Sequence, residues 1–241
     1  MSRDFLSLDD LSAEELEHLL QLSAKVKASP GDYDGRLAGK SVALIFEKPS
    51  TRTRVSFDIA VASLGGHPLA LSSSELQLGR GETLEDTGRV LSRYVDCIVV
   101  RTFEQERLEA LSSTADVPVV NALSDYEHPC QVLADLLTIR EKKGHLEGLN
   151  VTIVGDVAHS RVARSDIHGM KKMGITVTVA GPPTLIPAQC QELGVKVSHR
   201  LEEAIAHADV IMMLRLQHER MQGGFIPSLR EYSRVWGLTL A

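Results

Sequence analysis

Short apolar runs alternate with helical stretches along almost the whole chain, and that alternation limits its fold more than any other feature. Ser41–Phe46 (SVALIF) has the length and composition of a buried strand. Residues 68–71, 97–100 and 117–120 are further strand candidates. Helical stretches at 50–64, 84–94 and 104–113 separate them, and Gly65-Gly66 ends the first. An amphipathic helix precedes the series. It opens on the capping-box pattern Ser12-Ala13-Glu14-Glu15 and stops before Pro30-Gly31. Pro129–Lys143 reads as one long helix, ended by Gly144 to Gly148. A second series then begins: strand Asn150–Val154, helix 161–173, strand Thr176–Ala180, strand 195–198, helix 201–207 and strand 210–214. Strands that alternate with helices form parallel sheets covered on both faces. The expected fold is α/β: two doubly wound parallel-sheet domains joined by a helix, residues 1–144 and 145–241.

Composition narrows the function. Hydrophobic residues make up 43% and charged residues 24%, the balance of a globular protein rather than a disordered one. The formal net charge of -6 argues against nucleic acid as the main partner, while leaving room for a local anion site. No apolar run is long enough to span a membrane, and the first residues have no secretory core. Three scattered cysteines, Cys97, Cys130 and Cys190, point to a reducing cytoplasm and to neither a disulfide frame nor a zinc cage. His159 and His168 lack a metal-ligand pattern, and no metal or organic cofactor is expected. Gly155-Asp156 follows a strand without the G-x-G-x-x-G of a nucleotide fold. Asn150-Val151-Thr152 fits a glycosylation sequon but opens a buried strand.

The most informative stretch runs from Phe46 to Arg54, FEKPSTRTR. A strand ends, Pro49 turns the chain, and a helix begins with hydroxyls and arginines. Free N–H groups at a helix start carry partial positive charge. Ser50, Thr51 and Thr53 add short donors, and Arg52 adds a fork suited to phosphate. An ordinary N-cap with surface arginines is the plainer reading. The whole strand, proline and Ser-Thr-Arg-Thr context favours an oxyanion clamp.

The run Ser50-Thr51-Arg52-Thr53 resembles the phosphate signature of the carbamoyltransferases. Val99-Val100-Arg101 is similar to the strand that delivers a second phosphate-binding arginine. His128-Pro129-Cys130-Gln131 is similar to the family's His-Pro-x-Gln, followed by the expected helix. The resemblance implies that Ser50, Thr51, Arg52, Thr53 and Arg101 hold the phosphate of carbamoyl phosphate. It places His128 and Gln131 at the carbamoyl group, where a His N–H polarises the carbonyl as an amine attacks. Arg52, His128 and Gln131 are the expected catalytic residues. Cys130 beside His128 reads as packing, since the reaction needs no thiol.

Two kinds of carbamoyltransferase dominate the family, and the halves of the chain resemble different ones. Leu123-Ser124-Asp125, His128-Pro129-Cys130-Gln131 and the loop Gln77-Leu78-Gly79-Arg80-Gly81-Glu82 look ornithine-type. That resemblance implies that Gln77, with Arg80 as the nearest cation, reaches carbamoyl phosphate in a neighbouring subunit. Residues 154–165, 181–187 and 212–220 look aspartate-type. That resemblance implies that Arg161, Arg215 and Gln217 bind the acceptor, and guanidinium forks suit a dicarboxylate. An ornithine site needs an acid for the distal ammonium, and the ornithine family's Ser-Met-Gly loop does not occur in the chain.

The expectation is transfer to L-aspartate, a step of pyrimidine biosynthesis, by a cytoplasmic homotrimer with shared sites. Regulatory or other pathway subunits are conceivable further partners. Ornithine carbamoyltransferase is the alternative. The family pattern continues past Gly237-Leu238-Thr239 with a helix, a strand and a His-Pro-x-Pro loop, so the second domain is expected to be C-terminally incomplete. A third alternative follows: an inactive chain that binds carbamoyl phosphate or assembles with intact subunits.

Overall fold

β1 (Ser41–Phe46), β2 (His67–Ser72), β3 (Cys97–Arg101) and β4 (Val119–Leu123) make a parallel sheet in the order β2-β1-β3-β4. The computed structural model describes residues 4–72, 82–217 and 228–238. The chain divides into two units, Met1–Leu133 and Ala134–Ala241. The first also holds α1 (Ala13–Ala28), α2 (Thr51–Ser63), α3 (Leu84–Leu91) and α4 (Gln105–Thr114). Alternate residues of the central strands feed two cores. Ala43, Ile45, Ile98 and Val100 pack with Leu84, Leu108 and Leu111 of α3 and α4. Val42, Leu44, Phe46 and Val99 pack with Val61 of α2. Both faces of the sheet are therefore covered, which is why its strands read as unbroken apolar runs.

The second unit repeats the scheme. β5 (Asn150–Val154), β6 (Thr176–Ala180), β7 (Lys196–Ser198) and β8 (Val210–Met213) are parallel in the order β7-β6-β5-β8. α6 (Arg161–Lys172) buries Ala163, Ile167 and Met170. α7 (Leu201–Ile205) and α8 (Leu229–Trp236) pack Leu201 and Trp236 on Val154 and Ala180. α5 (Pro129–Lys143) starts in the first unit and continues into the second.

Three local details depart from the sequence expectations or add to them. β4 starts at Val119, not at residue 117, because Pro118 has no N–H to give the ladder. It runs on to Leu123 through the buried Asn121, whose side-chain amide donates to the Leu6 carbonyl at 2.8 Å. α8 was hidden behind charged residues, although Ser228-Leu229-Arg230-Glu231 has the capping spacing and Ser228 accepts from the Glu231 N–H at 3.1 Å. Glu127, fully buried, accepts from the Ser7 hydroxyl at 2.8 Å and the Leu8 N–H at 2.9 Å. Those bonds tie the N-terminal segment to the turn just ahead of His128.

Candidate functional site

Each sheet reverses its strand order once. In the first unit the chain moves from β1 outward to β2, then returns to place β3 on the other side of β1. In the second it moves from β5 to β6 and β7, then returns to place β8 beside β5. Connections leave in opposite directions at such a point and open a crevice at the carboxyl ends of the strands. The residues singled out from the sequence, apart from Gln77 and Arg80, which are not among the described residues, follow the carboxyl ends of the strands in these two sheets.

At the β1/β3 point, α2 begins with its donors open. Ser12, Thr83, Ser160 and Ser228 each accept a bond from their own helix's first turn, whereas the Ser50 side chain makes no capping bond. The first bond inside α2 runs from the Arg54 N–H to the Ser50 carbonyl at 3.2 Å. The N–H groups of Thr51, Arg52 and Thr53 precede it and have no partner within the helix. Arg52 itself is exposed. Such an opening suits an anion, with the helix dipole adding to the arginine charge.

β3 brings Arg101 to the same place. The pairing of β3 with β4 shifts register between Val100 and Arg101, as at a bulge that re-aims a side chain. Its guanidinium Nη1 donates to the Thr53 hydroxyl at 3.5 Å. His128 feels the same guanidinium. Burial first, and the Arg101 charge second, push its pKa down to about 4. The imidazole is therefore neutral at physiological pH, with one N–H to donate. The Gln131 N–H donates to the His128 carbonyl at 3.0 Å, which closes the opening turn of α5 around both residues.

Two neighbours of this cluster have structural roles. Glu47 follows β1 and receives hydrogen bonds from Thr102, Phe103 and Arg107. Burial raises its pKa, but the bonds from Arg107 and Thr102 and the Arg107 charge outweigh burial and hold it below the usual value. The acid is thus an ionised tie between the ends of β1 and β3. The Cys130 thiol is pushed up to about 12 by burial and lies 3.6 Å from the Asn121 carbonyl, so it packs and is no nucleophile.

The β5/β8 point is organised by a buried acid. Asp156 has 0% exposure. One oxygen accepts from the His159 N–H at 3.3 Å and meets His159 Nδ1 at 2.7 Å. The other accepts from the Gln217 N–H at 3.2 Å. Asp156 therefore fixes the loop after β5 to the segment after β8. Gly155 is required beside it: φ is 124°, and an added Cβ would stand 3.0 Å from the Tyr232 hydroxyl oxygen and 3.2 Å from Leu214. Burial first, and the Asp156 charge second, raise the Tyr232 phenol pKa. Arg161 opens α6 behind its N-cap Ser160, and Arg215 is exposed just past β8.

Thr53, Arg101 and His128 thus come together in the first unit, with Ser50, Thr51 and Arg52 at the same helix start. Gln217 is tied to Asp156 and His159 in the second. Gln77 and Arg80 lie outside the described residues. Sequence reading passed over Glu47, Glu127 and Asp156 as site supports. Their signal was an acid directly beside a strand end or a motif, where a bland surface residue would be expected. Among the described residues, no group of three His, Cys, Asp or Glu side chains is placed to hold a metal ion.

Comparison with known proteins follows the same division. Residues 3–141 match the family model described as aspartate/ornithine carbamoyltransferase, carbamoyl-P binding domain. Residues 147–236 match the one described as aspartate/ornithine carbamoyltransferase, Asp/Orn binding domain. An aspartate carbamoyltransferase catalytic subunit of Syntrophus aciditrophicus is 48% identical over 98% of this chain and 78% of its own length. An ornithine carbamoyltransferase of Parafrankia sp. is 49% identical over 87% of this chain and 70% of its own length. The solved structure of the ornithine carbamoyltransferase from Pyrococcus furiosus superposes with a TM-score of 0.84 at 40% identity, covering 98% of this chain and 77% of that one.

Proposed function

Because the chain belongs to the aspartate/ornithine carbamoyltransferase family, we propose that it moves the carbamoyl group of carbamoyl phosphate to the amino group of L-aspartate. The products are N-carbamoyl-L-aspartate and phosphate. In this reading residues 1–144 take carbamoyl phosphate and residues 145–241 take the amino acid. The phosphate dianion rests on the open start of α2, held by Ser50, Thr51, Arg52 and Thr53, with Arg101 as a second fork. Neutral His128 donates to the carbamoyl oxygen, and Gln131 orients the same group. As the amine attacks the carbonyl carbon, negative charge grows on that oxygen, and a fixed N–H there lowers the barrier. The C–O bond to phosphate then breaks, and the arginines stabilise the departing phosphate. Neither a covalent enzyme intermediate nor a cofactor enters this scheme.

The observation that carries aspartate is the chemistry at the end of β8. Arg215 is exposed two residues past the strand, where its Nη1 donates to the Leu216 carbonyl at 3.3 Å, and the Gln217 backbone is anchored on Asp156. A cation there complements a second carboxylate and repels a distal ammonium. Ornithine keeps support from the 49% identical relative and from the ornithine-type motifs around His128. The test is Arg215→Ala. It is expected to raise the KM for aspartate about 30- to 100-fold, the loss of one charge-assisted pair, and to leave carbamoyl phosphate binding intact. An unchanged aspartate KM would remove Arg215, and with it the main argument for this acceptor.

Assembly belongs to the same proposal. Val55 and Ile59 are 51% and 59% exposed, one helical turn apart on α2. Such an apolar pair beside the clamp supports an interface between copies. A homotrimer would let a neighbour's Gln77 and Arg80 complete each site.

A further inference from the structure

Asp166 is the most unusual acid in the second unit. It lies in the middle of α6, among Ser165, Ile167 and Met170, and its exposure is 0%. Both carboxyl oxygens are buried, and neither accepts a hydrogen bond from an N–H or O–H of the described residues. An ionised carboxylate in that position would lose its hydration and gain nothing in return. The group that acts on it by charge and through a side-chain hydrogen bond is another acid, Asp135 of α5. Two carboxylates only accept hydrogen bonds, so they repel. One proton between them turns the pair into a donor and an acceptor.

We propose that Asp135 and Asp166 share a single proton in the native protein, forming an acid clasp that fastens α5 to α6 at neutral pH and loosens as the medium becomes alkaline. Burial is the main cause that holds the Asp166 proton, and the charge and hydrogen bond of Asp135 come next. Asp135 is the one charged group acting on it from a neighbouring element among the described residues. On its own helix, Arg161, Arg164, Lys171 and Lys172 do not offset the effect. The sign follows from linkage. The folded state keeps a proton that the unfolded chain gives up near the ordinary aspartate value of 3.8. Stability from this group is complete below that value and is lost as pH rises towards the folded value. Because Arg161 opens the helix that carries Asp166, the clasp also steadies one edge of the candidate acceptor site. It holds whichever amino acid is the acceptor.

The test is the full chain with Asp166→Asn, whose amide supplies a permanent donor in place of the proton. The thermal midpoint of the unsubstituted protein is expected to drop relative to D166N by about 5 °C between pH 6 and pH 9. Parallel pH profiles, or a D166N protein that weakens faster in alkali, would overturn the proposal. Infrared difference spectra of the unsubstituted protein decide the matter even if D166N does not fold. A protonated carboxyl C=O band from labelled aspartate should persist at pH 8 and vanish in stronger alkali. No such band at pH 8 would equally overturn it.

Discussion

Arg52→Ala is expected to abolish carbamoyl phosphate binding and, with it, carbamoyl transfer. The proposed ligand is a small dianion that offers almost no apolar surface, so its affinity would come from charge and directed hydrogen bonds. α2 supplies a partial charge, three early N–H groups and hydroxyls, and Arg52 at its second position adds a full positive charge with a fork beside them, with Arg54 two residues further on. Arg101 comes from another strand and already spends one donor on Thr53 at 3.5 Å. Losing Arg52 leaves the phosphate with one arginine where it needs two. A drop of about 10²-fold or more in affinity is expected, because a small dianion loses one of the two charge-assisted forks proposed for it. Arg52 is exposed, so the fold should survive and circular dichroism should not change. Calorimetric titration with carbamoyl phosphate reads the result directly. Unchanged binding would take the clamp out of this account.

His128→Ala should lower kcat about 10²- to 10³-fold while carbamoyl phosphate binding changes much less. The distinction matters, because a donor aimed at a developing oxyanion acts in the transition state more than in the ground state. The pH behaviour supplies a second check. With a pKa of about 4 in the folded, ligand-free protein, the imidazole stays neutral through the ordinary assay range. The kcat/KM profile should therefore contain no ionisation of His128 above pH 5. Stability has its own signature. The unfolded chain takes up this proton near the ordinary value of 6.5, while the folded one waits until about 4. The contribution is complete above 6.5 and is lost as pH falls between those values. His128→Ala should flatten that part of the stability curve. A large fall in affinity with an unchanged kcat would instead make His128 a phosphate ligand.

Much of this architecture was legible before any coordinates. The limits of β1, α5, β5 and β6 follow directly from their apolar runs and flanking punctuation, because parallel strands buried on both faces leave few ambiguous positions. Where the pattern mixed polar and apolar residues, the reading slipped. Asn121 is polar yet fully buried, so β4 extends past the point where hydrophobicity appeared to stop. α8 presents one buried face, Trp236 with Tyr232, and mixes charged residues with exposed Leu229 and Val235 on the rest.

The candidate site divides in the same way. Residues proposed to meet a ligand stood out because their chemistry is conspicuous: Ser50 to Thr53, Arg101, His128 and Gln131. The residues that hold them did not. Asp156 was read within an aspartate-type run and for the absence of a nucleotide motif, without a role of its own, yet it joins His159 to Gln217 across two strand ends. Glu127 drew no sequence reading, yet it anchors Leu8, which lies 119 positions away in sequence. Such long-range bonds leave no trace in local spacing. Strand order was equally invisible. The chain reverses beside β1 and β5, and the candidate residues follow the carboxyl ends of the strands at those reversals.

One measurement bears on the central claim more directly than any substitution. Purified protein is supplied with carbamoyl phosphate and either L-aspartate or L-ornithine, and phosphate and carbamoylated amino acid are both quantified. The account predicts phosphate release that depends on aspartate, matched mole for mole by N-carbamoyl-L-aspartate, with no citrulline from ornithine. Citrulline as the sole product would contradict the acceptor assignment. An absence of acceptor-dependent phosphate release with either amino acid would contradict the proposed transfer itself.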